Sequence, residues 1–202
     1  MVIETRRCSG CQACSVACKA EFDVPLGHTR SWVETIEKGN YPAVSVNFLP
    51  RLCNHCRHPA CVDVCPTGAT FKRSADGIVD IDPDVCIGCK YCLLACPYDA
   101  RFINPLTGSA DKCSFCLHRI SQGVEPSCVN TCPGKARIFG DVNDPKSEIS
   151  RVLATNPVSV LRPGMGTEPQ VYYIAADNYD EHFRERGWHV NVATHRRQKE
   201  RR

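Results

Sequence analysis

The chain has 202 residues, of which 16 are cysteine and only 7 % aromatic, so hydrophobic burial alone leaves a thin core for this length. That length is too great for a disulfide miniscaffold, mostly under about 80 residues, and leaves room for one large or two small domains. A net charge of +3 from 25 basic and 22 acidic side chains is too mild to argue for nucleic acid. A mean hydropathy of −0.28, with no apolar run of about 20 residues, predicts no membrane-spanning helix.

Residues 1–7 are too short and polar for a signal peptide, and Arg6-Arg7 lacks the apolar stretch that a twin-arginine signal needs. The first cysteine group follows at once: Cys8, Cys11, Cys14 and Cys18. Residues 44–48 alternate in polarity and predict a strand. A second group, Cys53, Cys56, Cys61 and Cys65, precedes a predicted hairpin in which residues 70–72 and 78–81 flank a Ser74-Ala75-Asp76-Gly77 turn. The third group is Cys86, Cys89, Cys92 and Cys96; the fourth is Cys113, Cys116, Cys128 and Cys132. After groups two, three and four one phrase recurs: Cys-Pro, two residues, Ala, then an apolar strand. Its instances are Ala69-Thr70-Phe71, Ala100-Arg101-Phe102-Ile103 and Ala136-Arg137-Ile138-Phe139. Asp144-Pro145 then predicts the N-cap and first-turn proline of an amphipathic helix that carries Ile149, Val152 and Leu153 and ends before Pro157. Residues 161–169 read as an extended Pro/Gly-rich segment, 171–175 as a last buried strand, and the basic end 196–202 as a solvated tail.

The sixteen cysteines divide into four groups of four with none left over, each opening on C-x2-C and closing on C-x3-C. Two residues between thiolates, with Gly10 and Gly88 supplying a permissive backbone, let successive sulfurs converge on one small polyhedron. Three residues place a helical turn between the last two, which turns the final sulfur towards a different cluster. This is the two-cluster ferredoxin run C-x2-C-x2-C-x3-C-P. Pro66, Pro97 and Pro133 complete it, whereas Lys19 follows Cys18.

Other chemistries fit less well. Serial C-x2-C turns would strain disulfides. Paired C-x2-C motifs suit an all-thiolate zinc site, but zinc asks for neither the triple repeat nor the closing C-x3-C-P. A catalytic radical cluster would leave an iron open, while here all sixteen thiolates close clusters. His55 and His118 lie near the cysteines but are read as hydrogen-bonding close to cluster sulfurs or backbone, not as ligands. Lys90, Tyr91 and Arg101 read as groups around the clusters or on the surface. Neither a paired-carboxylate motif nor a nucleotide-binding glycine motif is present.

The order of the groups, with Cys86-Ile87-Gly88-Cys89-Lys90-Tyr91-Cys92, Ala95-Cys96-Pro97-Tyr98-Asp99-Ala100-Arg101 and Lys112-Cys113-Ser114-Phe115-Cys116, resembles the four-cluster electron-transfer subunit of the molybdopterin, or dimethyl sulfoxide reductase-like, oxidoreductases. Val160-Leu161-Arg162-Pro163, Gly166-Thr167-Glu168-Pro169 and the Tyr172-Tyr173 strand look most like the polysulfide/thiosulfate branch. The resemblance implies an α+β fold of two ferredoxin-like domains, each with two [4Fe–4S] clusters, related by internal duplication and followed by a C-terminal extension. It implies an outer domain of residues 1–49 plus 106–142, an inserted domain of 50–105, and an extension with the basic tail over 143–202.

Carried onto this chain, the family pattern crosses the ligands. Cys8, Cys11 and Cys14 share cluster one with Cys132, and Cys113, Cys116 and Cys128 share cluster two with Cys18. Cys53, Cys56 and Cys61 share cluster three with Cys96, and Cys86, Cys89 and Cys92 share cluster four with Cys65. Four [4Fe–4S] clusters are therefore expected. The implied role is a non-catalytic relay of single electrons between a molybdopterin catalytic subunit and a membrane quinone-reactive subunit. The process would be anaerobic respiration on polysulfide, thiosulfate or tetrathionate, with an arsenate, dimethyl sulfoxide or formate-type molybdoenzyme, or a polyferredoxin role beside a hydrogenase or other redox complex, as the alternatives. Having no span of its own, the chain is expected to sit peripherally on the cytoplasmic membrane, on the periplasmic face and exported with its partner, with the cytoplasmic face as the alternative.

Overall fold

Residues 2–4 sit at the centre of a sheet whose other strands come from far along the chain. The computed structural model describes residues 1–176; the basic end 196–202 lies outside the described residues. Strand β1 (Val2–Glu4) pairs antiparallel with β8 (Arg137–Ile138) and parallel with β9 (Tyr172–Ile174). Val2 and Ile3 are fully buried, as are the β-branched and aromatic side chains of β9, which suits strands covered on both faces. Helix α6 (Glu148–Thr155) covers one side: Ile149 and Leu153, one turn apart, pack with Val2, Val158, Val160 and Tyr172.

A long hairpin, β2 (Ser31–Asn40) and β3 (Ala43–Leu52), runs in register from Ser31↔Leu52 to Asn40↔Ala43. Its base joins the core through Val33, Leu49 and Leu52, while Tyr41, Val44 and Val46 near the tip are exposed. At the base Arg51 pairs with Glu34 (2.6 Å) and donates to the Tyr98 carbonyl (2.8 Å), fastening the hairpin to the loop after Cys96.

Each C-x3-C step begins on a helix: α1 (Ala13–Phe22), α2 (Ala60–Asp63), α3 (Tyr91–Leu94) and α5 (Ser127–Asn130). Helix α4 (Leu117–Ile120) starts directly after Cys116. Two small antiparallel pairs complete the fold: β4 (Thr70–Lys72) with β5 (Val79–Ile81), and β6 (Phe102–Ile103) with β7 (Ala110–Asp111).

The cysteine loops repeat one another in backbone detail. Gly10 and Gly88, at the same place in groups one and three, have φ of 70° and 66°. The following Gln12 and Lys90 are also left-handed, at 60° and 67°, a conformation in which a non-glycine residue is uncommon. In groups two and four the matching pair is His55 and Phe115, at 43° and 54°.

The fold is the expected α+β mixture, with corrections. The long strand β2 and the ten-residue length of α1 are additions. Helix α6 begins at Glu148, because Ser147 takes the capping role by accepting from the Ser150 N–H (3.2 Å). Asp144-Pro145 instead forms the turn before it, with the Lys146 N–H bonded to Asp144 Oδ1 (2.9 Å). The segment 161–169 is not simply extended: Arg162 is left-handed and Pro163–Met165 makes a 3-10 turn.

Candidate metal centres

None of the sixteen cysteines is joined in a disulfide. Cys8, Cys11, Cys14 and Cys132 line one small cavity, with about 350 Å³ of unfilled space that is partly open to solvent, beside Gln12, Pro133 and Arg137. Cys53, Cys56, Cys61 and Cys96 line a second of about 340 Å³ with Asn54, Tyr98, Arg101 and Thr167. Cys65, Cys86, Cys89 and Cys92 line a third of about 300 Å³ with Thr67, Thr70 and Lys90. The remaining four gather where α1 meets α5: the Cys18 thiol faces Cys128 and Cys116, and Cys113 faces Cys18 and Cys128. The structure thus brings together sulfurs remote in sequence, Cys8 with Cys132 and Cys18 with Cys113 among them. A more open cleft beside Arg30 and Asp111 has no cysteine in its lining.

Burial dominates the electrostatics of these thiols and raises Cys18, Cys56 and Cys61 above the ordinary value. Burial, and then the neighbouring thiolates, push the Cys18 thiol up to about 12. Burial does the same for Cys56, to about 12, and for Cys61, to about 11, with the Arg101 charge pulling the latter back. Cys65 departs from this pattern: burial is outweighed by hydrogen bonds from Thr70 and Thr67, and its thiol lies below the ordinary value.

Donors are already aimed at sulfur. The backbone N–H groups of Thr70, Ala110, Phe115 and Ala136 donate to Cys65 (3.4 Å), Cys86 (3.4 Å), Cys113 (3.4 Å) and Cys132 (3.3 Å). Thr70 opens β4 and Ala136 directly precedes β8, each shortly after a Cys-Pro step. Arg101 Nη2 donates to Cys61 Sγ (2.9 Å) and Arg137 Nη2 to Cys14 Sγ (3.4 Å).

Several buried polar atoms have no partner among the described residues: Asn54 Nδ2 and Oδ1, His55 Nε2 and Arg137 Nη1. Asn54 and Arg137 line the second and first cavities, so their N–H groups are donors for a sulfur-rich anion inside, and such donors are costly to leave unmade. Among the described residues no three of His, Cys, Asp and Glu stand close enough to hold one metal ion. Four thiols around each of the three small cavities, with N–H groups aimed at sulfur, are a donor set that fits a [4Fe–4S] cluster.

Neither His55 nor His118 bonds to a cysteine sulfur among the described residues. His55 is buried and accepts the Val79 N–H at Nδ1 (3.1 Å); burial, then the charge of Lys112, holds its pKa well below the usual range. His118 meets the Glu21 carboxylate (2.7 Å) instead of a sulfur or the backbone. Tyr91 is exposed and Lys90 caps α3, whereas Arg101 is buried against sulfur. Residues that sequence reasoning passed over also shape the second cavity. Lys72 Nζ donates to the Cys56 carbonyl (2.6 Å). The segment around Thr167 straps the loop 54–58: Arg57 N–H to Glu168 O (2.8 Å), His58 N–H to Thr167 O (3.1 Å) and Gln170 N–H to Asn54 O (2.9 Å). Thr167 also bonds the Tyr98 hydroxyl (2.5 Å). These bonds are backbone-rich and non-local, so no motif announces them; only the repeated Ala-Arg after Cys-Pro could have flagged Arg101 and Arg137.

A family model described as a 4Fe-4S dicluster domain matches residues 44–142, and a second of the same description matches residues 7–70. A tetrathionate reductase subunit of Salmonella typhimurium is 49 % identical over 182 residues, 88 % of this chain and 72 % of that protein. The chain therefore belongs to the iron–sulfur subunits of the molybdopterin oxidoreductases. Protein NrfC of Escherichia coli is 46 % identical, covering 86 % of this chain and 79 % of the relative. A polysulfide reductase subunit of Wolinella succinogenes is 41 % identical, covering 86 % and 92 %. Identity is thus higher to the tetrathionate protein than to the polysulfide one. As a member of this family the chain is an electron-transfer subunit with two 4Fe–4S dicluster domains. Among the described residues no helix is long and apolar enough to cross a membrane.

Proposed function

We propose that the chain relays single electrons through four [4Fe–4S] clusters between a molybdopterin catalytic subunit and a quinone-reactive membrane subunit, in respiration on tetrathionate, polysulfide or thiosulfate. The ligand sets are Cys8, Cys11, Cys14 with Cys132; Cys113, Cys116, Cys128 with Cys18; Cys53, Cys56, Cys61 with Cys96; and Cys86, Cys89, Cys92 with Cys65. The observation that carries this is the convergence of three of these sets on separate small cavities. When bound, such clusters supply one-electron redox chemistry, with potentials set by hydrogen bonds to sulfur and by burial. The N–H groups of Thr70, Ala110, Phe115 and Ala136 stabilise negative charge on the thiolates, and the apolar shell around Leu49, Leu52 and Tyr173 keeps water out.

The sets also form a series. Cys14 and Cys128 interact within the first pair, and Cys113 and Cys53 interact across the junction. Arg101 faces both Cys61 and Cys92 in the second pair. Internal duplication accounts for the matched left-handed residues: the outer domain is 1–49 plus 106–142, the inserted domain 50–105, and 143–202 the extension. Ile87, Tyr91 and Leu94 are exposed around group three, an apolar end suited to a membrane-bound partner. The periplasmic face is the side we assign.

The test is purification of the native complex from membranes. Molybdenum, a larger catalytic subunit and a membrane subunit should co-purify with about sixteen iron per chain. A stable free monomer that lacks such partners would overturn the assignment in favour of a polyferredoxin.

A further inference from the structure

Arg101 and Arg137 occupy the same place in two copies of the phrase Cys-Pro-x-x-Ala-Arg. Both are buried, at 7 % and 3 % exposed, and neither forms an ion pair with a carboxylate among the described residues. Arg137 donates from Nη2 to Cys14 Sγ (3.4 Å) and its charge also acts on Cys128. It therefore stands between the Cys8, Cys11, Cys14, Cys132 set and the Cys18, Cys113, Cys116, Cys128 set. Its Nη1 is buried with no partner among the described residues. Arg101 donates from Nη2 to Cys61 Sγ (2.9 Å), and its charge acts on Cys53 and Cys92. It stands between the Cys53, Cys56, Cys61, Cys96 set and the Cys65, Cys86, Cys89, Cys92 set. In the third copy of the phrase Thr70 fills the arginine's position, and Arg101 Nη1 donates to that Thr70 hydroxyl (3.1 Å).

We propose that these two arginines set the reduction potentials of the clusters in pairs: Arg137 for the outer pair, Arg101 for the inner pair. The inference rests on the reading that the four cysteine sets hold [4Fe–4S] clusters. A guanidinium stays charged at any working pH, and a buried cation without a carboxylate is costly unless an anion answers it. Thiolates of two sets answer each one. Four thiolates outweigh the charge of the core they bind, and one-electron reduction adds another negative charge. Two such groups side by side in a low-dielectric interior therefore oppose each other's reduction. A fixed positive charge between them offsets that repulsion and raises both potentials, which keeps neighbouring carriers reducible in turn.

The experiment is a redox titration of the purified complex, with dithionite as reductant and low-temperature EPR as readout, beside iron analysis of the same samples. In iron-replete Arg101→Gln, two of the four transitions should move to lower potential. In Arg137→Gln the other two should move, so the two variants sort the signals between them. Arg101→Lys and Arg137→Lys retain the charge and should stay nearer the parent. Transitions that all stay put, or all move together, in iron-replete protein would overturn the inference. If a glutamine variant loses iron, its lysine counterpart decides: full iron with near-parent potentials supports the inference, and iron loss in both makes the arginine structural and ends it. Iron far below sixteen in the unmodified complex would instead undercut the four-cluster reading.

Discussion

His55 and Phe115 stack face to face, their ring centroids 3.7 Å apart, and each is the residue before the second cysteine of its C-x2-C loop. Two loops from different groups thus meet ring to ring at equivalent positions, both in left-handed backbone. Val79 clamps the contact, its N–H donating to His55 Nδ1 while its carbonyl accepts from the buried Lys112 ammonium. The same Lys112 Nζ bonds the Cys113 carbonyl (2.8 Å), tying the hairpin β4–β5 to the fourth cysteine group.

Removing one ring should loosen this junction. Phe115→Ala empties a buried aromatic site and should cost about 3–5 kcal/mol. His55→Leu keeps most of the volume but leaves the Val79 N–H without its acceptor, at about 1–3 kcal/mol. Thermal bleaching of the brown chromophore measures both. A larger drop for His55→Leu than for Phe115→Ala would contradict the packing account.

The crossed ligand sets predict a pattern of iron loss in double variants. Cys8→Ala and Cys132→Ala alone should each leave about twelve iron per chain, and the double variant no fewer, because both empty one site. Combining Cys132→Ala with Cys96→Ala should leave about eight. A Cys8, Cys132 double variant with only eight would separate those residues onto different clusters.

Metal removal should unfold the chain around its sites. Many of the cysteines are themselves core residues, Cys14, Cys53, Cys113 and Cys128 among them, and thiolate coordination is folding free energy. Treatment with an oxidant and chelator should abolish the cooperative melt followed by circular dichroism. Retention of a sharp transition in iron-free protein would show that the apolar core suffices.

Gly134 closes the first cavity by close backbone approach, since a Cβ there would run into the Arg7 carbonyl oxygen. Gly134→Ala should force residues 7 and 134 apart and release the iron of the Cys8, Cys11, Cys14, Cys132 set. Gly68→Ala is the control: its φ of 70° is strained for alanine, but nothing lies within 4 Å. That change should cost only about 1–2 kcal/mol and leave the iron content unchanged, as assayed by colorimetric iron analysis.

Local chemistry was what the amino-acid sequence made legible. Cysteine spacing follows from the geometry of the sites, so all four groups and the helical turns between Cys14 and Cys18 or Cys92 and Cys96 could be read directly. The hairpin at 70–81 was equally legible because Asp76-Gly77 marks a turn, although the connection closes as the longer loop 73–78. What escaped depends on distant partners. The strap at 167–170 works through backbone bonds to residues 54–58, and backbone groups carry no sequence signature. Strand β2 has an exposed outer half that only pairing with β3 explains. Arg101 looks like any surface arginine until Cys61 and Thr70 close over it.

The central position of β1 bears on how the protein is made. Ribosomes release chains from the N-terminus, and domains generally fold as they emerge. Residues 50–105 include two complete cysteine groups, so their loops can close as soon as that stretch is out. Val2–Glu4 must wait for residues 137–138 and then for 172–174 before their sheet exists. Residues 2–4 thus leave the ribosome ahead of all four cysteine groups yet are among the last to settle. Until then Cys8, Cys11, Cys14 and Cys18 stand open, which gives an assembly factor delivering iron a window set by translation time.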